Sequence, residues 1–191
     1  MVKSILLVGV GGQGTILAGK ILSQALLGGD YDVKMSEIHG MSQRGGSVST
    51  HVRFGGKIES PVIEKGGADI LVAFELMEAL RWLPYLSKSG SIIVNNFQIN
   101  PTPVLIGKAE YPKGLINKLE EAATTVSFNA FDEAKALGDP RAMNIVLLGT
   151  LVRKMGLGGL PWGAVIAQEV RQNFVELNLR AFERGQQLAG Q

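Results

Sequence analysis

Two glycine-rich stretches hold the residue types best suited to chemistry. The first is Gly9-Val10-Gly11-Gly12-Gln13-Gly14, in which Gly9, Gly11 and Gly14 satisfy the G-x-G-x-x-G spacing. Glycine permits a tight turn there and lets an anion approach backbone N–H groups at a helix N-terminus. The same spacing also serves close helix–strand packing with no ligand, and the motif alone leaves both readings open. A dinucleotide site asks for an acid ~20 positions further on, and Glu37 stands near that distance. The second stretch is Glu37-Ile38-His39-Gly40-Met41-Ser42-Gln43-Arg44-Gly45-Gly46. Glu37, His39, Gln43 and Arg44 supply polar groups, and Arg44 suits a carboxylate or phosphate because its fork of donors is preorganised. Gly45 and Gly46 let the backbone come close to a partner. The alternative is a surface loop that satisfies its own backbone. No nucleophile accompanies His39 in sequence, so acid–base work by it is not expected.

Further polar residues fall where strands should end. Glu75 stands at a strand-to-helix junction, where it either contacts a ligand or favours the helix dipole. Glu78 is placed to pair with Arg81 at i+3 on a helix surface. Asn95, Asn96 and Gln98 follow the next strand, and such amides often close turns. No residue is assigned a catalytic role.

Composition removes whole classes of chemistry. The 191 residues include no cysteine, which excludes thiol catalysis, disulfides and Cys-ligated zinc or iron–sulfur clusters. Two histidines, His39 and His51, make a His-rich metal site unexpected. A net charge of +2 gives no basic footprint for nucleic acid. No apolar run approaches the ~18 residues that a membrane-spanning helix needs. The first residues run straight into a strand rather than a secretory signal, which points to the cytoplasm.

The elements that must position these residues follow from periodicity. Ile5 to Val8 reads as a strand buried on both faces. A helix runs from Ile16 to Leu26 and stops at Gly28-Gly29. Asp32 to Ile38 is a second strand, which completes a βαβ unit. Ser47 to Phe54 alternates with period two and ends at Gly55-Gly56, predicting an antiparallel hairpin whose return strand stops at Pro61. Strands over 68–74, 91–95 and 124–128 alternate with helices over 76–83, 116–123 and 131–137. Asn100 to Pro103 is a stiff turn. Three helices close the chain: 143–155, apolar almost all round, 162–170 and 175–188. Leu157, Leu160, Trp162, Phe174 and Leu177 cover a sheet face or form a subunit interface. The fold class is therefore α/β and Rossmann-like: a mostly parallel sheet with an antiparallel hairpin insertion and a helical C-terminal end. One domain over 1–191 is expected, with 155–191 as a helical extension.

The glycine loop together with His39-Gly40-Met41-Ser42-Gln43-Arg44-Gly45-Gly46-Ser47-Val48 resembles the gamma-type domain of 2-oxoacid:ferredoxin oxidoreductases. It is most similar to the beta subunits of indolepyruvate ferredoxin oxidoreductases. Ser60-Pro61-Val62-Ile63, Ala68-Asp69, Phe74-Glu75 and Glu78-Ala79-Leu80-Arg81 continue the likeness, over most of residues 4 to 155. The resemblance implies oxidative decarboxylation of an aryl 2-oxoacid, with the acyl group passed to coenzyme A and electrons to ferredoxin. It implies that thiamine diphosphate and iron–sulfur clusters sit on a partner alpha subunit, and that this chain is the cofactor-poor, separately inactive subunit. It implies that Gly11, Gly12, Gln13 and Gly14, with Arg44, Gly45 and Gly46, line the edge facing coenzyme A or the partner. The competing reading is a free-standing NAD(P)- or flavin-binding oxidoreductase, resting on the glycine loop and Glu37.

Overall fold

Six strands form one mixed sheet in a computed structural model that describes residues 2–39 and 45–190. The strands are β1 (Lys3–Val10), β2 (Asp32–His39), β3 (Ser47–Gly55), β4 (Ala68–Ala73), β5 (Leu86–Asn95) and β6 (Thr124–Phe128), in the order β2-β3-β1-β4-β5-β6. β1, β4, β5 and β6 are parallel, whereas β3 runs antiparallel to both β1 and β2.

The apolar runs explain the layering. Every residue of Ile5–Val8 is buried, as a strand covered on both faces must be. Ile5 and Leu7 join one core with Val72, Phe74 and Ile93, while Leu6 and Val8 join another with Leu71, Ile92 and Val94. The first core is covered by α1 (Thr15–Leu27), α5 (Ala130–Leu137), α6 (Met143–Lys154), α7 (Trp162–Glu169) and α8 (Val175–Leu188). The second lies under α2 (Leu76–Trp82) and α4 (Leu115–Ala122). Between β5 and α4 the expected stiff turn carries a single helical turn, α3 (Thr102–Leu105).

The near-continuous apolar stretch of α6 is buried from Met143 to Val152. It crosses α8 with backbone against backbone. A Cβ on Gly149 would stand 2.1 Å from the Phe182 carbonyl oxygen, and one on Gly185 would stand 1.9 Å from that of Val146. The Thr150 hydroxyl donates across the same crossing to the Gly185 carbonyl at 2.8 Å. Of the apolar residues near the C-terminus, Trp162 is 3% exposed and stacks on Phe182, and Leu157, Leu160 and Leu177 pack against the first core. These four belong to that core or its margin. Phe174 stays half-buried and sits under the Arg141 guanidinium.

Two expectations need correction. Residues 56–67 contain no return strand, because β3 already has β1 on one edge and β2 on the other. The antiparallel pair is instead β2 with β3. The βαβ unit is present but split: β1 and β2 run in the same direction with β3 between them.

Candidate functional site

The carboxyl ends of β1, β4 and β5 converge on the Phe74 carbonyl. Gln13 donates to it from Nε2 at 2.8 Å, and Asn95 donates from Nδ2 at 3.1 Å. Gln13 also accepts the Val10 N–H at 2.7 Å, and Asn95 accepts the Ala130 N–H at 2.8 Å. Both side chains are buried, Gln13 at 6% exposure and Asn95 at none. Each amide therefore satisfies backbone groups that a strand end would leave unpaired. The side chain of Gln13 faces inward, and its contribution to the outer surface is backbone alone.

That clamp sets the geometry of the first glycine loop. Gly12 and Gly14 hold φ of +104° and +82°, where a side chain is strained. Gly14 caps α1 without a side-chain hydrogen bond, and the first turn carries no acid. The N–H groups and positive dipole end of α1 are therefore not countered by side chains from that turn. Behind the loop, the Asn144 Nδ2 donates to the Gly14 carbonyl at 3.3 Å.

The structure brings the two glycine stretches together. Gly11 donates its N–H to the Gly46 carbonyl at 2.8 Å, and the Gly45 N–H returns a bond to the Gly11 carbonyl at 3.3 Å. Of the seven expected site residues, Gly11, Gly12, Gln13, Gly14, Gly45 and Gly46 thus lie at one edge. Arg44 lies outside the described residues, as does Gln43.

A cavity of about 540 Å³ opens in front, lined by Gly11, Gly12 and Gly14, with Lys20, Glu37 and His39 on its walls. Leu17 and Glu169 belong to this cavity and to a second one of about 370 Å³, whose walls include Arg141, Arg171, Phe174 and Asn178. Together they make a continuous trough across the N-terminal half of α1. It offers backbone donors at the α1 terminus, an apolar floor, and Lys20, Arg141 and Arg171 set among Glu37, Asp139 and Glu169, with Arg141 paired to Asp139. Among the described residues, no group of three or more His, Asp or Glu side chains is placed to hold a metal ion.

Glu37 lies in this wall, yet its strand is not next to β1. With β3 between them, β2 stands two strand spacings away, about 10 Å. A dinucleotide fold carries its acid on the adjacent parallel strand, so this arrangement departs from that pattern.

Glu75 resolves as a cap. It is fully buried and accepts the N–H groups of Glu78 at 2.9 Å and Ile99 at 3.2 Å, together with the Tyr111 hydroxyl. Burial, the hydrogen bond to Glu75 and its charge push the Tyr111 hydroxyl far above its usual range. Glu78 pairs with Arg81 at 3.0 Å as expected, but it is 3% exposed and also accepts the Ser47 hydroxyl and the Trp82 Nε1–H. Asn96 and Gln98 fall in the loop after β5, where Gln98 bonds Asn100.

Sequence reasoning missed Asn144, Lys20 and the Ser47–Glu78 link. Asn144 had a signal, being an amide at the start of the apolar run of α6. The Ser47–Glu78 bond joins residues 31 apart and had none. His51 is buried, and its Nδ1 accepts the Ile63 N–H at 3.1 Å. The ring is therefore neutral with its proton on Nε2, facing the Ser49 hydroxyl at 3.3 Å. Burial lowers its pKa.

The family model described as pyruvate ferredoxin/flavodoxin oxidoreductase matches residues 4–188. The "Indolepyruvate oxidoreductase subunit IorB" of Archaeoglobus fulgidus is 37% identical, over 95% of this chain and 92% of its own. That of Pyrococcus horikoshii is 38% identical, over 95% and 93%. The gamma subunit of a keto/oxoacid ferredoxin oxidoreductase from Geobacter sulfurreducens superposes with a TM-score of 0.71 at 27% identity, covering 98% of both chains. A 2-oxoglutarate:ferredoxin oxidoreductase from Magnetococcus marinus, solved with 2-oxoglutarate, coenzyme A and succinyl-CoA bound, shares the fold at a TM-score of 0.74 and 18% identity. This chain matches 31% of its length.

Proposed function

The chain belongs to the pyruvate ferredoxin/flavodoxin oxidoreductase family, as a subunit of a 2-oxoacid:ferredoxin oxidoreductase, and we propose that its task is to hold coenzyme A against a larger catalytic partner. The reaction is oxidative decarboxylation of an aryl 2-oxoacid of the indolepyruvate kind. The acid loses carbon dioxide, its acyl carbon becomes a thioester of coenzyme A, and the electrons released pass to ferredoxin.

The observation that carries this reading is the uncapped N-terminus of α1, opening beside two glycine loops that are hydrogen-bonded to each other. Coenzyme A carries a pyrophosphate, and backbone donors with a positive dipole end suit that group better than they suit bond-making. Gly11, Gly12 and Gly14 supply open backbone, Gly45 and Gly46 bound the cradle, and Lys20 and Arg44 bring positive charge. Gln13 serves by shaping the loop. The aryl preference rests on the likeness to IorB proteins at 37–38% identity.

The chain has no cysteine with which to ligate an iron–sulfur cluster, so cluster chemistry is assigned to the partner, and thiamine diphosphate is assigned there on the family resemblance. This subunit contributes binding and orientation to the transfer step.

The test is co-expression with a thiamine- and cluster-bearing large subunit. Coenzyme A-dependent reduction of a ferredoxin substitute by indolepyruvate is assayed with and without this chain. Activity and a stable complex are expected only when both are present. A large subunit equally active alone overturns the proposal. Tight binding of NAD(P) or a flavin by the isolated chain would favour the free-standing oxidoreductase.

A further inference from the structure

The first turns of α2 carry two buried carboxylates three residues apart, and each ties α2 to a different loop of the carboxyl edge. Glu75 holds the segment after β5 through Ile99 and Tyr111. Glu78 reaches the other way, to Ser47 at the start of β3. Ser47 pairs with Val10 across the β1–β3 ladder and follows directly on Gly45 and Gly46, which bond Gly11. Trp82 closes the cluster, with its Nε1 3.3 Å from a Glu78 oxygen and 3.2 Å from the Ser47 hydroxyl. The second Glu78 oxygen accepts the Arg81 Nε at 3.0 Å.

A buried carboxylate is a poor device for stability, since removing it from water offsets much of what its hydrogen bonds return. Its directional bonds do fix geometry. Here three donors converge on Glu78, and one of them belongs to the residue next to the second glycine loop. Gly45 and Gly46 have no side chains with which to anchor themselves, and the next anchored side chain in the strand is Ser47.

We propose that Glu78 is a positioning residue. Through Ser47 it holds Gly45–Gly46 over Gly11 and so sets the opening through which an anionic ligand reaches the N-terminus of α1. This rests on the coenzyme A reading of the site for its functional half. Glu78 acts through Ser47 and is not part of the cavity lining in front of α1.

Ser47→Ala removes the link with little change in volume, Glu78→Gln removes the charge, and Ser47→Thr keeps the hydroxyl. Hydrogen exchange of the intact chain is the first readout. Ser47→Ala and Glu78→Gln are expected to speed exchange about tenfold in segments covering 9–16 and 45–54 while leaving 86–95 unchanged. Ser47→Thr restores wild-type rates. In the assembled enzyme the same two variants raise KM for coenzyme A about fivefold while kcat stays within about twofold. Unchanged exchange at 9–16 and 45–54, or uniform acceleration throughout the chain, overturns the positioning role. If the wild-type complex shows no dependence on coenzyme A, the functional reading fails on its own, and the exchange result still decides whether Glu78 holds the loop.

Discussion

Gln13 sits in the middle of a motif whose side chains are usually discounted, and here its amide is the piece that fixes the turn. It spans the Val10 N–H and the Phe74 carbonyl at 2.7 and 2.8 Å with almost no exposure. Gln13→Leu keeps the bulk and strands the Val10 N–H, so chemical denaturation is expected to report a loss of about 2–3 kcal/mol. His51 makes the second residue-scale prediction. Its folded-state pKa lies below the ordinary value of 6.5, because burial disfavours the charged ring. Below 6.5 the unfolded chain takes up more protons than the folded one. The neutral ring's contribution is therefore fully present above 6.5 and is lost as the pH falls through the lowered value. His51→Gln should flatten the stability profile on the acid side of 6.5, measured by urea midpoints across pH. A profile with the same acid slope in variant and wild type would count against this role. At this scale the sequence revealed which residue types matter but not which way they face. Gln13, Glu75 and Asn95 were all legible as polar groups at strand ends. Whether each met a ligand or a backbone group depended on partners as far as 61 positions away, which no local spacing encodes.

Elements were more legible than contacts. Period-two and period-3.6 patterns depend on neighbours a few residues apart, so the strands and helices appear close to where the sequence placed them. Strand pairing is different, because it is decided by which edges remain open. The alternation at Ser47–Phe54 announced an antiparallel strand, and Gly55-Gly56 pointed to a mate that followed it. The mate is β2, and the chain beyond Gly55 found both edges of β3 occupied. The α6–α8 crossing was equally invisible, although Gly149 and Gly185 are plain in the sequence. Gly185→Ala places a methyl group against the Val146 carbonyl, where the two backbones cannot separate without opening the core. We expect a loss of about 3 kcal/mol in denaturant titration, with Gly149→Ala behaving alike and the double variant costing less than their sum.

At the scale of the whole molecule, the described residues proposed for ligand binding lie at one edge of the sheet. The trough joins the glycine loops to Arg141 and Arg171 through Leu17 and Glu169. If coenzyme A lies there, the charge that attracts its pyrophosphate comes from the α1 terminus and Lys20, and it is exposed to solvent. Affinity in the assembled enzyme should then fall with added salt, and Lys20→Ala should weaken binding by about 0.5–1 kcal/mol while reducing that dependence. Calorimetric titration at two ionic strengths measures both. An affinity indifferent to salt and to Lys20 would place the pyrophosphate elsewhere.

The bond between Asn144 and Gly14 spans 130 residues. A ribosome builds the chain from the other end, so the cap of α1 is among the first structures to emerge and among the last to be completed. β1 waits for β3 and β4 before it has neighbours, and the Gly14 carbonyl, which takes the Ala18 N–H at once, waits for its second donor at the start of α6. A nascent chain halted before residue 144 therefore has its glycine loop in place with the backing unmade. Whatever binds this edge meets a backed loop only after the start of α6 has been made.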